Sequence, residues 1–336
     1  MTSQTSTGAT ARSLRAGVLQ PDRTNMLDAL APSPSKLRRY QPRPGMVWIK
    51  GGQFRMGSDR YEPEEAPVRT ASVDGFWIDA MPVTNRQFAR FAQATEWLTT
   101  AEQHADALER PIGPGGVAGP ASLVFNPANT TAGGDGWSFL AGADWRHPKG
   151  PESSLQGLED HPVVHLSWDD VSGYLAWSRT DLPSEAEWEF AARGGLDGAT
   201  YAWGEELAPG GRQMGNFNGP MHTSPVGAYP QNGYGLSDMI GNVWEWTRDW
   251  WHTRGSPVSE DRCCSIKSRS GGSDGLSDDP GLAYLKVPRR VVKGGSYLCS
   301  PGDCTRFRPA ARQPMAVDTS ASHLGFRCVV RPIMAR

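Results

Sequence analysis

Turn-forming residues interrupt this chain too often for a fold of long helices or broad sheets. It carries 39 glycines and 27 prolines among its 336 residues, and these two residue types punctuate turns and loops. A fold assembled from turns needs anchors between them. The 13 tryptophans suit that role, because each large ring buries much apolar area against the loops that cross it. The length allows one large domain or two ordinary ones, with a sizeable core either way. A formal net charge of -2 excludes the basic excess by which proteins hold nucleic acid. No apolar run reaches the length of a membrane span.

Residues 1–45 are rich in Ser, Thr, Pro and Arg and lack the apolar stretch of a secretory signal. They read as a disordered leader, with too few apolar side chains to offset the entropy of ordering, and the chain reads as cytoplasmic. From Met46 the pattern changes. Two short strands are predicted around Gly51-Gly52, and a third over residues 73–78. Thr84, Ser167 and Ser184 each open a helix, with Gln87, Asp170 and Glu187 placed for reciprocal capping. Gly194-Gly195 stops the last of these. Residues 103–160 are expected as long ordered loops and residues 254–280 as a polar surface loop. Strands are expected over residues 290–293, 305–308 and 325–331. With no internal repeat and no linker, the expectation is one α+β domain over residues 46–333.

The five cysteines are Cys263, Cys264, Cys299, Cys304 and Cys328, an odd number crowded into the last quarter of the chain. That is no disulfide scaffold; it points to local chemistry. Cys263 and Cys264 are adjacent, where a mutual bond is strained, and read as free thiols, with a redox or second metal role as the alternative. Cys328 reads as a small buried apolar residue.

Several stretches resemble the formylglycine-generating enzyme (sulfatase-modifying factor) family, of the bacterial aerobic type. They are Gly45-Met46-Val47-Trp48-Ile49, Met81-Pro82-Val83-Thr84-Asn85, Pro162-Val163-Val164-His165, Leu182-Pro183-Ser184-Glu185-Ala186-Glu187-Trp188-Glu189 and Gly241-Asn242-Val243-Trp244-Glu245-Trp246. The most specific is Lys293-Gly294-Gly295-Ser296-Tyr297-Leu298-Cys299, followed by Cys304 and by Ser322-His323-Leu324-Gly325-Phe326-Arg327-Cys328. The resemblance implies an irregular α+β fold related to C-type lectins. It implies an oxidase in which Cys299 and Cys304 hold Cu(I). Its reaction turns a cysteine of a client polypeptide, a sulfatase-type Cys-x-Pro-x-Arg segment, into formylglycine with O2 and a thiol reductant.

The residues themselves leave the pair's role open. Pro301-Gly302 signals a turn that can bring the two sulfurs together. Two soft thiolates suit Cu(I) and leave room for a third, yet a structural or adventitious disulfide fits the same spacing. Zinc fits less well, since it takes four ligands and the histidines lack finger-like spacing.

Further roles come by resemblance. Ser296 and Trp244 match residues that line the family's active site; a turn hydroxyl and plain core packing are the alternatives. Asp238 and Glu245, with the carbonyls of Gly241 and Val243, match a calcium site, the donor type Ca2+ prefers. A turn cap for Asp238 and an arginine partner for Glu245 are the alternatives there. Asn216-Phe217 match the start of a second calcium site, but the loop Asn218-Gly219-Pro220-Met221-His222 is too short for the usual acidic and aromatic pair. Asp303 stands where the family has Tyr, and Arg179-Thr180-Asp181 replaces Gly-Lys-Arg. Arg306 and Arg308 alternate along an expected strand whose basic face either meets a carboxylate or structural acid or closes on internal ion pairs.

Two other functions stay open. One is a non-catalytic lectin-like binding module of the same superfamily. The other is an iron-dependent C–S bond-forming enzyme, whose relatives carry a helical domain with a His-x3-His-x-Glu motif. Here His161 and His165 are followed by Ser167, not Glu.

Overall fold

The computed structural model describes residues 42–103, 119–129, 136–252 and 287–332. The expected leader up to residue 41, Cys263, Cys264 and the polar loop around them lie outside the described residues.

Gly51 and Gly52 turn the chain between β1 (Met46–Ile49) and β2 (Gly52–Met56). The two strands then part. β1 pairs antiparallel with β4 (Phe76–Asp79), and β2 with β3 (Arg69–Val73). The strand expected over residues 73–78 is therefore the end of one strand and the start of another. The break falls at Asp74-Gly75, where a Cβ on Gly75 would meet the Trp48 ring at 2.5 Å.

Residues 121–125 and 137–141, expected as loops, pair as β5 (Ala121–Phe125) and β6 (Trp137–Ala141). A four-stranded sheet has the order β10 (Leu324–Gly325), β7 (Trp244–Trp250), β8 (Arg289–Lys293), β9 (Arg312–Ala316). Its β10–β7 pair is parallel and the others antiparallel. A three-stranded sheet has the order β1, β4, β11 (Val329–Val330). The expected strand over residues 325–331 is thus split. Phe326-Arg327-Cys328 cross from one sheet to the other.

The three helices begin where the caps predict: α1 (Asn85–Thr95), α2 (Trp168–Ser178) and α3 (Glu185–Arg193). In each, the cap hydroxyl accepts the N3 amide while the N3 side chain accepts the cap's own amide, which satisfies two otherwise orphaned donors. α3 ends on Gly194 in the left-handed conformation at φ 57°.

One core cluster gathers Phe88, Phe91, Trp97, Tyr174, Trp246 and Phe326; a second gathers Phe54, Phe76, Trp188, Phe190 and Ile240. α3 is buried on most of its surface, charged residues included. Glu189 pairs with Lys293 at 3.0 Å and Arg193 at 2.7 Å, Glu185 with Arg312 at 2.9 Å, and Glu187 with Arg331 at 2.6 Å. Carboxylates are stable inside a protein only when paired and hydrogen-bonded like this. No helix among the described residues is long and apolar enough to cross a membrane.

Candidate functional site

The Gly-Gly-Ser block sits where β8 ends, and its glycines are required by close backbone approach. Gly294 has φ +100° and Gly295 φ +72°. A Cβ on Gly294 would lie 2.9 Å from the Met239 carbonyl oxygen, and one on Gly295 2.8 Å from that of Arg306. Those neighbours are backbone and cannot swing aside. The chain leaves this point through Ser296, turns between Cys299 and Cys304, and returns past Gly295 at Arg306-Phe307. The loop is closed at its neck.

Within the loop, the Cys299 amide donates to the Ser296 carbonyl at 3.0 Å, and the Cys304 amide to the Ser300 carbonyl at 3.0 Å. The Cys299 carbonyl accepts from the Asn218 amide at 2.8 Å. These bonds place the two sulfurs 2.9 Å apart, well beyond the roughly 2.05 Å of a disulfide. Both are free thiols; Cys299 is buried and Cys304 half-buried. Either thiol can donate to the other. The hydrogen bond with Cys304, and then burial, push Cys299 up. The hydrogen bond from Cys299 draws Cys304 down to about 7, helped by the Arg306 amide and guanidinium. The accessible sulfur is therefore the one that is thiolate near neutral pH, which is the nucleophilic and metal-binding form.

Behind the thiols stands an aromatic wall. Cys299 packs with Phe217 and Phe307, whose rings stack at 4.2 Å, and Tyr201 and Trp203 extend the stack. Phe217 thus belongs to the cluster around Cys299. Asn216 beside it donates to the His222 carbonyl at 3.0 Å and to Asn242 at 3.2 Å. The short loop closes on asparagine hydrogen bonds, and no acidic residue joins Asn216 and Phe217 in a metal-binding group among the described residues.

Residues 305–308 do not form the expected strand. Arg308 donates to the Thr305 carbonyl at 2.7 Å and forks onto buried Glu65 at 2.5 and 2.6 Å. Arg306 pairs with Glu64 and, at 3.4 Å, with Glu62. Both arginines meet internal acids, the second of the two alternatives.

Ser296 is buried, its Oγ accepting from the Leu298 amide at 3.3 Å and lying 3.3 Å from His323 Nδ1. Trp244 is packed in the main core and joins this group through its backbone, donating to the His323 carbonyl at 2.8 Å. His323 stood in plain view in the Ser-His-Leu-Gly-Phe-Arg block but carried no mark distinguishing it from a core histidine. His161 and His165 take separate partners, Thr223 for the first and Ser122 with the Pro148 carbonyl for the second. Cys328 is fully buried, and burial pushes its thiol up to about 12, so it behaves as an apolar residue.

The four residues matched to calcium divide. Asp238 is buried, and its Oδ1 has no hydrogen-bond partner. Burial raises its carboxyl to about 6. Glu245 takes the arginine alternative: Arg327 forks onto it at 2.7 to 3.0 Å, and Trp188 Nε1 donates to it at 2.7 Å. Each of its oxygens already accepts two donors. Glu245 reaches a cation only by releasing one of them.

Asp303 lies exposed on the turn between the thiols, and its charge works against the Cys304 thiolate. Asp303→Asn removes that repulsion. The pH midpoint for alkylation of Cys304 by iodoacetamide is expected to move down by a few tenths of a unit, because exposed charges are well screened. An unmoved midpoint would mean that the carboxylate points away from the sulfur.

The arrangement can be set beside known proteins. Over 90% of its length the chain superposes on the whole of the solved structure of PvdO from Pseudomonas aeruginosa, with a TM-score of 0.55 at 22% identity. That places it in a fold class of mixed, loop-rich α+β architecture. The sulfatase-modifying factor enzyme 1-like domain matches residues 32–332, and the chain belongs to that family. It is 43% identical over 309 residues to the formylglycine-generating enzyme of Mycobacterium tuberculosis, covering 86% of this chain and 98% of that one. It is 41% identical over 311 residues to the formylglycine-generating enzyme of Thermomonospora curvata, covering 86% and 94%.

Proposed function

We propose that this protein converts a cysteine of a client polypeptide into formylglycine, with Cu(I) held by Cys299 and Cys304. The observation that carries the proposal is the convergence of a buried thiol and a half-buried one at 2.9 Å in a chain of this family. The donor set fits the metal. Both atoms are soft sulfurs, the accessible one ionises near neutral pH, and no further His, Cys, Asp or Glu completes a larger metal-binding group among the described residues. A third position is thereby left to the client's own sulfur. Bound Cu(I) supplies the electron-transfer chemistry with O2 that side chains lack.

The chain's residues do the rest. The Cys304 turn opens to solvent and admits the client. The Phe217–Phe307 wall excludes water from the Cys299 side. Arg306 keeps positive charge beside the thiolates, and Ser296 offers a hydroxyl on the same turn. The reaction balances when O2 is the oxidant. The client cysteine gives up two electrons and a thiol reductant two more. The resulting thioaldehyde then takes up water and releases hydrogen sulfide. A sulfatase-type Cys-x-Pro-x-Arg segment is the proposed client, and a thiol-rich cytoplasm the proposed setting.

The test is direct. Purified protein with Cu(I), O2, a thiol reductant and a Cys-x-Pro-x-Arg peptide is expected to yield the aldehyde by mass spectrometry. Peptide binding without aldehyde would instead make this a non-catalytic binding module.

We also propose a calcium ion at Asp238, with the carbonyls of Gly241 and Val243. The unpartnered buried oxygen of Asp238 favours it. A cation bound only by the folded state stabilises that state by mass action. Metal-stripped protein in EDTA is therefore expected to melt several degrees below the calcium-loaded form. Equal melting would leave Asp238 as a buried acid and nothing more.

A further inference from the structure

Ser296 has one neighbour that no reading of the sequence singled out. His323 is buried beneath the loop, its ring centroid 4.5 Å from that of Trp137 and its Nδ1 3.3 Å from Ser296 Oγ. Its main chain is held too, by the Trp244 amide on its carbonyl at 2.8 Å. Nε2 takes no hydrogen-bond partner among the described residues. Burial, reinforced by the nearby His165, pushes the ring down to about 3, so it is neutral under ordinary conditions.

A neutral imidazole has one N–H and one bare nitrogen. Placed on Nδ1, the proton has a fixed acceptor in Ser296 Oγ, whereas Nε2 has no protein partner among the described residues. Ser296 Oγ then accepts twice, from His323 Nδ1 and from the Leu298 amide. Both of its lone pairs are filled, and its own proton is left over.

We infer that His323 is a positioning residue that makes Ser296 a hydrogen-bond donor only, its proton available to an atom bound at the Cys299–Cys304 turn. The proximity of that turn follows from the Cys299 amide bonded to the Ser296 carbonyl at 3.0 Å. Without His323, the hydroxyl can rotate its proton toward any nearby acceptor and present a lone pair to the substrate instead. The catalytic part of this inference rests on the formylglycine reading; the hydrogen-bond direction does not.

Two measurements separate the two. In resting, 15N-histidine-labelled protein, the His323 ring, assigned by its loss in H323N, is expected to carry its proton on Nδ1. A proton on Nε2 would reverse the hydrogen bond and overturn the inference, whatever the protein catalyses. In the peptide assay, H323L is expected to lower kcat about tenfold with KM unchanged, in the range seen for groups that orient a reacting residue. H323N should recover most of that loss, because its amide N–H takes the place of Nδ1–H. S296A/H323L should be no slower than S296A. A further tenfold loss in the double variant, or H323N as slow as H323L, would show that His323 does not act through Ser296. If H323L fails to fold, the labelled spectrum and H323N still decide.

Discussion

Serine in place of either Cys299 or Cys304 is expected to abolish aldehyde formation and tight Cu(I) binding while the fold persists. A site of two sulfurs would lose half its protein ligands in either variant, and a hydroxyl is too hard a donor to replace thiolate for Cu(I). The two variants should differ in stability. Cys299 is 3% exposed and packs on Phe217 and Phe307, so Cys299→Ser buries a hydroxyl among rings at a cost of about 1–3 kcal/mol. Cys304 is half-buried at the mouth of the turn, and its variant should melt close to wild type. Copper stoichiometry, aldehyde yield and thermal melting on the same preparations check this. Wild-type yield from either variant would remove copper from the pair. Collapse of both variants would make the pair structural. Cys263→Ser and Cys264→Ser should retain activity; loss there alone would move the metal to the polar loop.

The largest effect on stability is expected at Arg327. Its guanidinium holds Glu245 and donates to the carbonyls of Asp79, Ser237 and Asp238 at 3.0 to 3.2 Å, with both ion-pair side chains at 0% exposure. Arg327→Met strands the Glu245 charge and several carbonyls in the interior. Breaking a buried pair on one side costs roughly 3–5 kcal/mol, and a whole domain has only about 5–15 to lose. The variant should unfold at far lower urea or fail to accumulate. Arg327→Met with Glu245→Gln should be less damaged than Arg327→Met alone, because the stranded charge is gone. Near-wild-type melting of Arg327→Met would mean that the pair contributes little.

What was legible in the sequence was whatever depends on residues a few positions apart. Thr84, Ser167 and Ser184 announced their helices because a capping box is completed within one turn. The thiol turn announced itself through Pro301-Gly302 and the cysteines on either side. Strand partners could not be read so. Gly51-Gly52 looks like the turn of a hairpin, but β1 and β2 each find a partner across the chain, and only packing decides that. The alternation at Thr305-Arg306-Phe307-Arg308 imitates a strand; Glu65, over two hundred residues away in sequence, captures Arg308 instead. The same limit governed the site. Whether Glu245 holds a metal or an arginine turns on where Arg327 lands, and Phe217 joins the thiols only because its loop returns to Cys299.

The neck closed by Gly294 and Gly295 divides the loop into a part the fold depends on and a part it does not. Pro301, Gly302 and Asp303 are exposed, and a Cβ on Gly302 would meet nothing within 4 Å. Between the thiols the chain is therefore a replaceable cassette, closed off below by backbone contacts that any sequence above them inherits. Changes there alter what the mouth of the site presents to an arriving polypeptide without disturbing the core. A library randomised at residues 300–303 and selected on peptides of different sequence is thus a route to new client preferences in this scaffold.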